Sequence, residues 1–143
     1  MAQVFTQSRR VQWHETDAAV SAHFTAFLKY MAETEHALLR DRGLDVHLED
    51  ELGKMSFPRV SVDCDFRASL RFNDVCDVRA HVKRLGEKSI TYAFEFDKQG
   101  TVIATGHITA VCCRIHADRP PEPIAVPDWF REKLDFPSGE RTE

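Results

Sequence analysis

The sequence lacks any long hydrophobic run. No stretch approaches about 18 continuous apolar residues, the minimum for a helix that spans a membrane. The N-terminal segment MAQVFTQSRR becomes polar at once, unlike the apolar centre of a secretory signal peptide. These absences predict a cytoplasmic protein that has no membrane partner.

The sequence also lacks a basic excess and any paired cysteine motif. Lys and Arg number 19 against 23 Asp and Glu, for a net charge of −4, so we expect no nucleic-acid partner. The cysteines lack CxxC spacing, and we interpret them as reduced core thiols: Cys64, Cys76, Cys112 and Cys113. A zinc site built from Cys112, Cys113 and scattered histidines is the less favoured alternative, and no metal is predicted.

The length favours one domain, which we place at residues 1–136. A chain of 143 residues buries enough surface to fold without a disulfide or a metal. Internal repeats are absent. Beyond the proline-rich segment 118–123, a short helix is predicted at 128–134, and residues 137–143 are expected to form a disordered tail.

One long helix is predicted after the first 20 residues. Ser21 is the expected N-cap, and Gly43 is the expected stop signal. Between them, apolar residues recur at helical spacing and form one stripe: Phe24, Phe27, Leu28, Met31, Leu38 and Leu39. The helix should contain about 20 residues and measure roughly 30 Å.

Period-two patterns on either side of this helix predict strands. Arg9–His14 alternates, with Val11 and Trp13 on one face, and reads as a first strand. Strict alternation over residues 58–71 predicts a long strand with one buried face.

Three further strands are predicted after residue 71. They are separated by turns at Asn73-Asp74, Gly86-Glu87 and Gln99-Gly100. The last strand, from Thr101 to about Ile115, is apolar or small on both faces, as in a strand that is packed on two sides. Because the connections are tight, the last four strands should be antiparallel.

Residues Trp13–Ala18, followed by Phe27–Tyr30, resemble the opening of the 4-hydroxybenzoyl-CoA thioesterase family of hotdog proteins. That opening contains a strand, an aspartate in a Thr-Asp or Cys-Asp dipeptide, a short loop and a long helix. Further stretches resemble the family's strand starts and turns in the same order: Pro58–Ser61, Phe72–Val75 and Gly86–Ser89. The resemblance covers about residues 9–130.

The resemblance implies an α+β hotdog fold, in which an antiparallel five-stranded sheet wraps around one long central helix. The element order read from periodicity agrees with this fold. The resemblance also implies a homodimer or a tetramer built as a dimer of dimers, with the acyl pocket between subunits.

By resemblance, Asp17 carries out acyl-CoA hydrolysis. A carboxylate just before a helix lies near the positive end of the helix dipole, and it can attack the thioester directly or activate water. The resemblance implies the backbone N–H of Phe24 as the oxyanion donor, with His23 as a further candidate. The alternatives for the side chains are a turn-capping role for Asp17 and exposed or structural roles for His23 and His14.

Coenzyme A is part of the substrate, so no separate cofactor is expected. Its phosphates need a basic site, and Lys83, Arg84 and Lys88 cluster around one turn. The resemblance places Lys88 and Ser89 at the nucleotide end. Arg59 and Arg119 are weaker candidates, and the alternative is that these cations only aid solubility. Four residues are candidates to line the acyl pocket or to belong to the core: Phe24, Phe27, Met31 and Met55.

Three features leave the function open. Val20 and Ala26 stand where the family usually has glycine and asparagine or serine, which puts the loop geometry and the acyl preference in question. The partner could be an acyl-carrier-protein thioester instead of acyl-CoA. The alternative functions are a non-catalytic module that binds acyl thioesters and a hotdog hydratase or dehydratase.

Overall fold

The structure, a computed structural model, describes residues 4–134. Its longest helix, α1 (Phe24–Asp41), buries one face, as its apolar stripe predicts. The N-cap is His23, so the prediction of Ser21 is wrong. Ser21 instead lies in the loop before α1, where it forms a β-bridge with Arg71. Gly43 does follow the helix, with a φ of +73° that favours glycine.

Five antiparallel strands form the main sheet: β1 (Phe5–Arg10), β4 (Arg59–Phe66), β5 (Val75–Leu85), β6 (Ser89–Lys98) and β7 (Thr101–Val111). Their order across the sheet is β1-β5-β6-β7-β4. The buried positions of β5 and β6 alternate, as their sequences predict. With α1 against one face, this arrangement is the predicted hotdog fold. The predicted turns at Asn73 and at Gln99-Gly100 have positive φ values.

α1 and the sheet pack closely at Gly106 of β7. A Cβ atom at this position would lie 3.0 Å from the Met31 sulfur and 2.6 Å from the Asp63 backbone oxygen. The contact with the β4 backbone is the stricter one, because the end of the Met31 side chain can shift by a few tenths of an ångström. A larger residue would therefore force β4 away from β7.

The prediction of the first strand is wrong in its position. β1 lies earlier in the chain, and Trp13–Glu15 form one 3₁₀ turn. The Glu15 carboxylate accepts a hydrogen bond from the Gln12 N–H at 2.8 Å, which stabilises this turn. As a result Val11 is buried, but Trp13 is 64% exposed, and the two do not share a buried face.

The strand predicted at residues 58–71 is shorter than expected, and its apolar face is not buried in this chain. β4 ends at Phe66 and pairs only with β7, so it forms an edge of the sheet. Val60 and Val62 are both more than half exposed. The last strand also ends early, at Val111, and its burial alternates instead of covering both faces.

The periodicity missed a second, four-stranded sheet of very short strands. They are β2 (His47–Asp50), β3 (Gly53–Ser56), β8 (Cys113–Arg114) and β9 (Glu122–Pro123). A helix α2 (Asp128–Lys133) follows, as predicted. The predicted domain end at 136 and the tail 137–143 lie outside the described residues.

A buried ion pair joins α1 to the start of β4. Glu35 is fully buried on α1 and bonds the Arg59 guanidinium, which also donates to the Phe57 carbonyl. Burial raises the pKa of the Glu35 carboxyl, and the charge and hydrogen bond of Arg59 oppose that rise. Arg59 therefore stabilises the charged form of a carboxylate that water does not reach.

Replacing Arg59 with Met should lower the free energy of unfolding by about 3 kcal/mol, because a buried carboxylate loses its partner. The double variant Glu35→Leu/Arg59→Met should recover most of this loss, because neither charge remains. Urea denaturation at pH 7 and one fixed protein concentration measures both. A single variant as stable as the unmodified protein would contradict the assignment.

Candidate active site

A cavity of about 600 Å³ lies where the loop before α1 meets the end of β4. This volume suits a small-molecule ligand. Its lining combines one carboxylate, one arginine and several aromatic side chains: Asp17, Ser21, Ala22, His23, Phe24, Phe27, Phe66, Arg67, Ala68 and Ser69. The fold thus brings four predicted site residues together, namely Asp17, His23, Phe24 and Phe27.

Asp17 is held by the backbone of its own loop. Its Oδ1 atom accepts hydrogen bonds from the N–H groups of Ala19, at 2.9 Å, and Ser21, at 3.2 Å. The Asp17 N–H donates to the Ser21 carbonyl at 2.8 Å and closes the turn. Within residues 4–134, Oδ2 accepts no hydrogen bond. One oxygen is therefore fixed, and the other remains available to a substrate or to water.

The turn after Asp17 requires a left-handed residue at Val20, whose φ is +62°. Glycine adopts this conformation without strain, whereas a β-branched residue rarely does. Val20 donates its N–H to the Asp17 carbonyl at 3.0 Å, and its carbonyl accepts from the Phe72 N–H at 3.1 Å. The chain therefore forms the tight loop without glycine, and these bonds hold it in a strained conformation.

His23 organises the start of α1. Its Nδ1 accepts a hydrogen bond from the Thr25 N–H at 3.3 Å and lies 2.8 Å from the Thr25 hydroxyl. The Ala26 N–H donates to the His23 carbonyl at 2.8 Å. The Phe24 N–H, in contrast, has no acceptor among the described residues. It is the unpartnered donor expected in the first turn of a helix.

The sequence interpretation missed Glu15, the most heavily bonded carboxylate near the cavity. It is 5% exposed. It accepts hydrogen bonds from Arg9, Lys29, Tyr30 and the Gln12 N–H, all between 2.6 and 2.8 Å. Burial alone would raise the pKa of Glu15, but these bonds and the Arg9 charge lower it to about 2. Its partners lie up to 15 residues away in sequence, so no local motif marks it.

Glu15 also connects this network to the helix start. Its backbone carbonyl accepts the His23 N–H at 2.8 Å. Thr16 and Ala22, the next residues inward, form an antiparallel β-bridge. The Asp17 loop is thus a small hairpin whose base is fixed by Glu15 and His23. Burial and the hydrogen bond to Glu15 raise the pKa of Tyr30, so its hydroxyl remains a donor.

The predicted coenzyme-binding residues lie elsewhere. Arg84 lies near the end of β5, Lys88 in the β5–β6 turn and Ser89 at the start of β6, and none of them lines the cavity. Arg131 of α2 stabilises the β5–β6 turn by donating hydrogen bonds to the backbone carbonyls of Gly86 and Glu87. Arg59 is bonded to Glu35, as described above. The coenzyme roles of these residues stay predictions.

Among residues 4–134, no group of three His, Cys, Asp or Glu side chains is placed to hold a metal. No described helix is long and apolar enough to cross a membrane.

Comparison with known proteins identifies the family. The model of the thioesterase-like superfamily matches residues 11–134. This chain belongs to that superfamily. A putative esterase from Aquifex aeolicus is 25% identical over 100 residues, covering 70% of this chain and 77% of that protein.

Solved structures agree with this assignment. A gentisyl-coenzyme A thioesterase is 30% identical, with a TM-score of 0.78, over 91% of this chain and 99% of that one. A 1,4-dihydroxy-2-naphthoyl-CoA thioesterase from Synechocystis shares the fold, with a TM-score of 0.81, 19% identity and coverage of 93% and 96%. The resemblance to hotdog acyl-CoA thioesterases is confirmed, and this superfamily member is a thioester hydrolase.

Glu15→Gln should lower the free energy of unfolding at pH 7 by about 3 kcal/mol, because the buried carboxylate loses its ion pairs with Arg9 and Lys29. The folded pKa, about 2, lies below the ordinary 4.5. The stabilisation by Glu15 is therefore complete above pH 4.5 and disappears as the pH falls toward 2. Denaturation curves across this range should show the two proteins converging, and the exposed Glu87→Gln variant is the control. A constant difference between the two proteins across this range would disprove the assignment.

Val20→Gly should leave the free energy of unfolding unchanged within about 0.5 kcal/mol or raise it, because glycine removes the backbone strain. Val102→Gly, at a half-buried strand position with ordinary backbone, should cost about 1 kcal/mol or more. Thermal unfolding of the two variants compares them directly. Equal losses in both would show that Val20 is not strained.

Proposed function

We propose that the protein hydrolyses an acyl-CoA thioester to a carboxylic acid and free coenzyme A, with Asp17 as nucleophile or general base. One arrangement carries the proposal. A carboxylate with one fixed and one available oxygen shares a cavity with the residue that bears the unpartnered Phe24 N–H. Thioester hydrolysis needs these two components, an oxygen that attacks or activates water and a donor for the developing oxyanion.

The Oδ2 atom of Asp17 has two routes to product. It attacks the carbonyl carbon, the C–S bond breaks, coenzyme A leaves as the thiolate, and water hydrolyses the mixed anhydride. Alternatively, it removes a proton from water as the water attacks the same carbon, and the C–S bond then breaks to release coenzyme A as the thiolate. In both routes the Phe24 N–H stabilises the negative oxygen, and the positive end of α1 adds to this effect.

His23 acts through the helix start in this proposal. Its ring caps the Thr25 N–H, and its carbonyl accepts the Ala26 N–H, so the donor that remains for the substrate is Phe24. Phe27 forms the apolar wall. Its ring meets those of Phe66 and Phe96 edge to face, with centroids 5.0 and 5.2 Å away.

We assign coenzyme binding to the region around the β5–β6 turn, where the exposed cations Arg84 and Lys88 lie near Ser89. Arg59 is a weaker candidate because it already pairs with Glu35. We expect no cofactor, and we expect a cytoplasmic location. A carrier-protein thioester would present the same pantetheine arm.

We propose a homodimer, or a tetramer made of two dimers, because the sheet has an open edge. Within residues 4–134, β4 pairs on one side only, and its Val60 and Val62 are exposed. Pairing with β4 of a second copy would satisfy this edge and cover those side chains. The cavity includes Phe66 at the end of the same strand, so a second copy would enclose it.

Asp17→Asn should retain the fold and lose about 100-fold or more of the turnover, because the amide can neither attack nor accept a proton. Coenzyme release, followed with a thiol reagent over a panel of acyl-CoAs, measures this loss. Asp45→Asn, an exposed carboxylate outside the cavity, is the control.

Unchanged turnover in Asp17→Asn would exclude the mechanism. Saturable acyl-CoA binding by the unmodified protein without coenzyme release would instead favour a binding module.

A further inference from the structure

Among the described residues that line the Asp17 cavity, Arg67 is the one lysine or arginine. It follows β4 directly. Its N–H donates to the Ile103 carbonyl at 2.8 Å, and the next N–H, from Ala68, donates to the same carbonyl at 3.2 Å. The backbone of this segment is therefore fixed to β7, while the Arg67 side chain is exposed at the cavity.

No carboxylate within residues 4–134 forms an ion pair with Arg67. The nearest functional candidate, Asp17, is engaged through Oδ1 by two backbone N–H groups and is not bonded to the guanidinium. On the strands, Arg79 and Arg114 each pair with an acidic side chain. Arg67 thus has no ion-pair partner among the described residues, and its guanidinium is available to an anion at the cavity.

Apolar side chains make up half of the residues that line the cavity: Ala22, Phe24, Phe27, Phe66 and Ala68. Arg67 itself is exposed to solvent, so its attraction for an anion rests on its charge and its hydrogen-bond donors and not on burial. A guanidinium also offers two parallel donors, which match the two oxygens of a carboxylate or phosphate.

We infer that Arg67 binds an anionic group of the substrate, and so determines specificity in the cavity. The group is a carboxylate at the far end of the acyl chain or a phosphate of coenzyme A, which share the same oxygen geometry. This inference rests on the proposed function only in that the cavity receives the thioester. It adds a role for a residue that is 50 positions beyond Asp17 in the chain.

Thioethers test the inference without any hydrolysis, so its failure is separable from failure of the Asp17 mechanism. S-(4-carboxybutyl)-CoA carries a terminal carboxylate, and S-(5-methylhexyl)-CoA is its neutral isostere. The corresponding pantetheine thioethers lack the nucleotide phosphates. Titration calorimetry gives Kd for all four ligands with the full-length protein, the Arg67→Met variant and the Arg67→Lys variant. Arg71→Met, an arginine outside the cavity lining, is the matched control.

A terminal carboxylate as the partner predicts that Arg67→Met weakens binding of both carboxylated ligands about tenfold, with the neutral ligands nearly unchanged. A coenzyme phosphate as the partner predicts an equal loss for both CoA ligands and none for the pantetheine ligands. Arg67→Lys should recover part of either loss.

The inference is overturned if Arg67→Met changes all four Kd values equally, changes none of them, or acts no differently from Arg71→Met. It is also overturned if size-exclusion chromatography shows that Arg67→Met changes the oligomeric state without any ligand-dependent effect. In that case the guanidinium pairs with a second copy of the chain.

Discussion

The hydrogen bonds to the buried Glu15 carboxylate connect the three elements around the Asp17 loop, namely β1, the 3₁₀ turn and α1. Arg9 reaches it from β1, Gln12 from the 3₁₀ turn, and Lys29 and Tyr30 from α1. The backbone carbonyl of the same residue holds the His23 N–H. A buried charge without these donors would be strongly unfavourable, so the first strand, the turn and the helix must adopt this arrangement together. The position of Asp17 relative to the helix start follows from it.

The second constraint is the close packing of α1 against the sheet. A Cβ atom at Gly106 would lie 2.6 Å from the Asp63 backbone oxygen of β4 and 3.0 Å from the Met31 sulfur, so glycine lets β7 pair with β4 and pack against α1 without adjustment. Because the sheet ends at β4, the wrapping is incomplete on that side. The N-terminus of α1 and the end of β4 therefore meet at an open margin, and the cavity forms there. The fold thus leaves the groups proposed to react at this margin, where the second copy of the proposed dimer would add its own edge strand.

The sequence predicted the elements whose burial is decided within one chain. β5 and β6 alternate because α1 and the core cover one of their faces. β4 has the same alternation, but its apolar residues are exposed. Periodicity shows that a strand has an apolar face, but it does not show whether that face packs against the core of the same chain. The short strands β2, β3, β8 and β9 contain too few residues to show a period. Within the site, Asp17, His23, Phe24 and Phe27 are close in sequence and could be found together. Glu15 and Arg67 depend on distant contacts and could not.

The two carboxylates at positions 15 and 17 show how local bonding distinguishes a structural carboxylate from the one proposed to react. Both oxygens of Glu15 are occupied by donors, two of them charged, and the group is shielded from solvent. Its lowered pKa reflects this stabilisation, which also makes it a poor nucleophile or base, because attack would require those bonds to break. Asp17 has only two backbone donors, both on Oδ1, and it lines an open cavity. A carboxylate with one oriented oxygen and one available oxygen has the geometry for catalysis. The strained turn at Val20 keeps the two backbone N–H donors on the Oδ1 atom of Asp17.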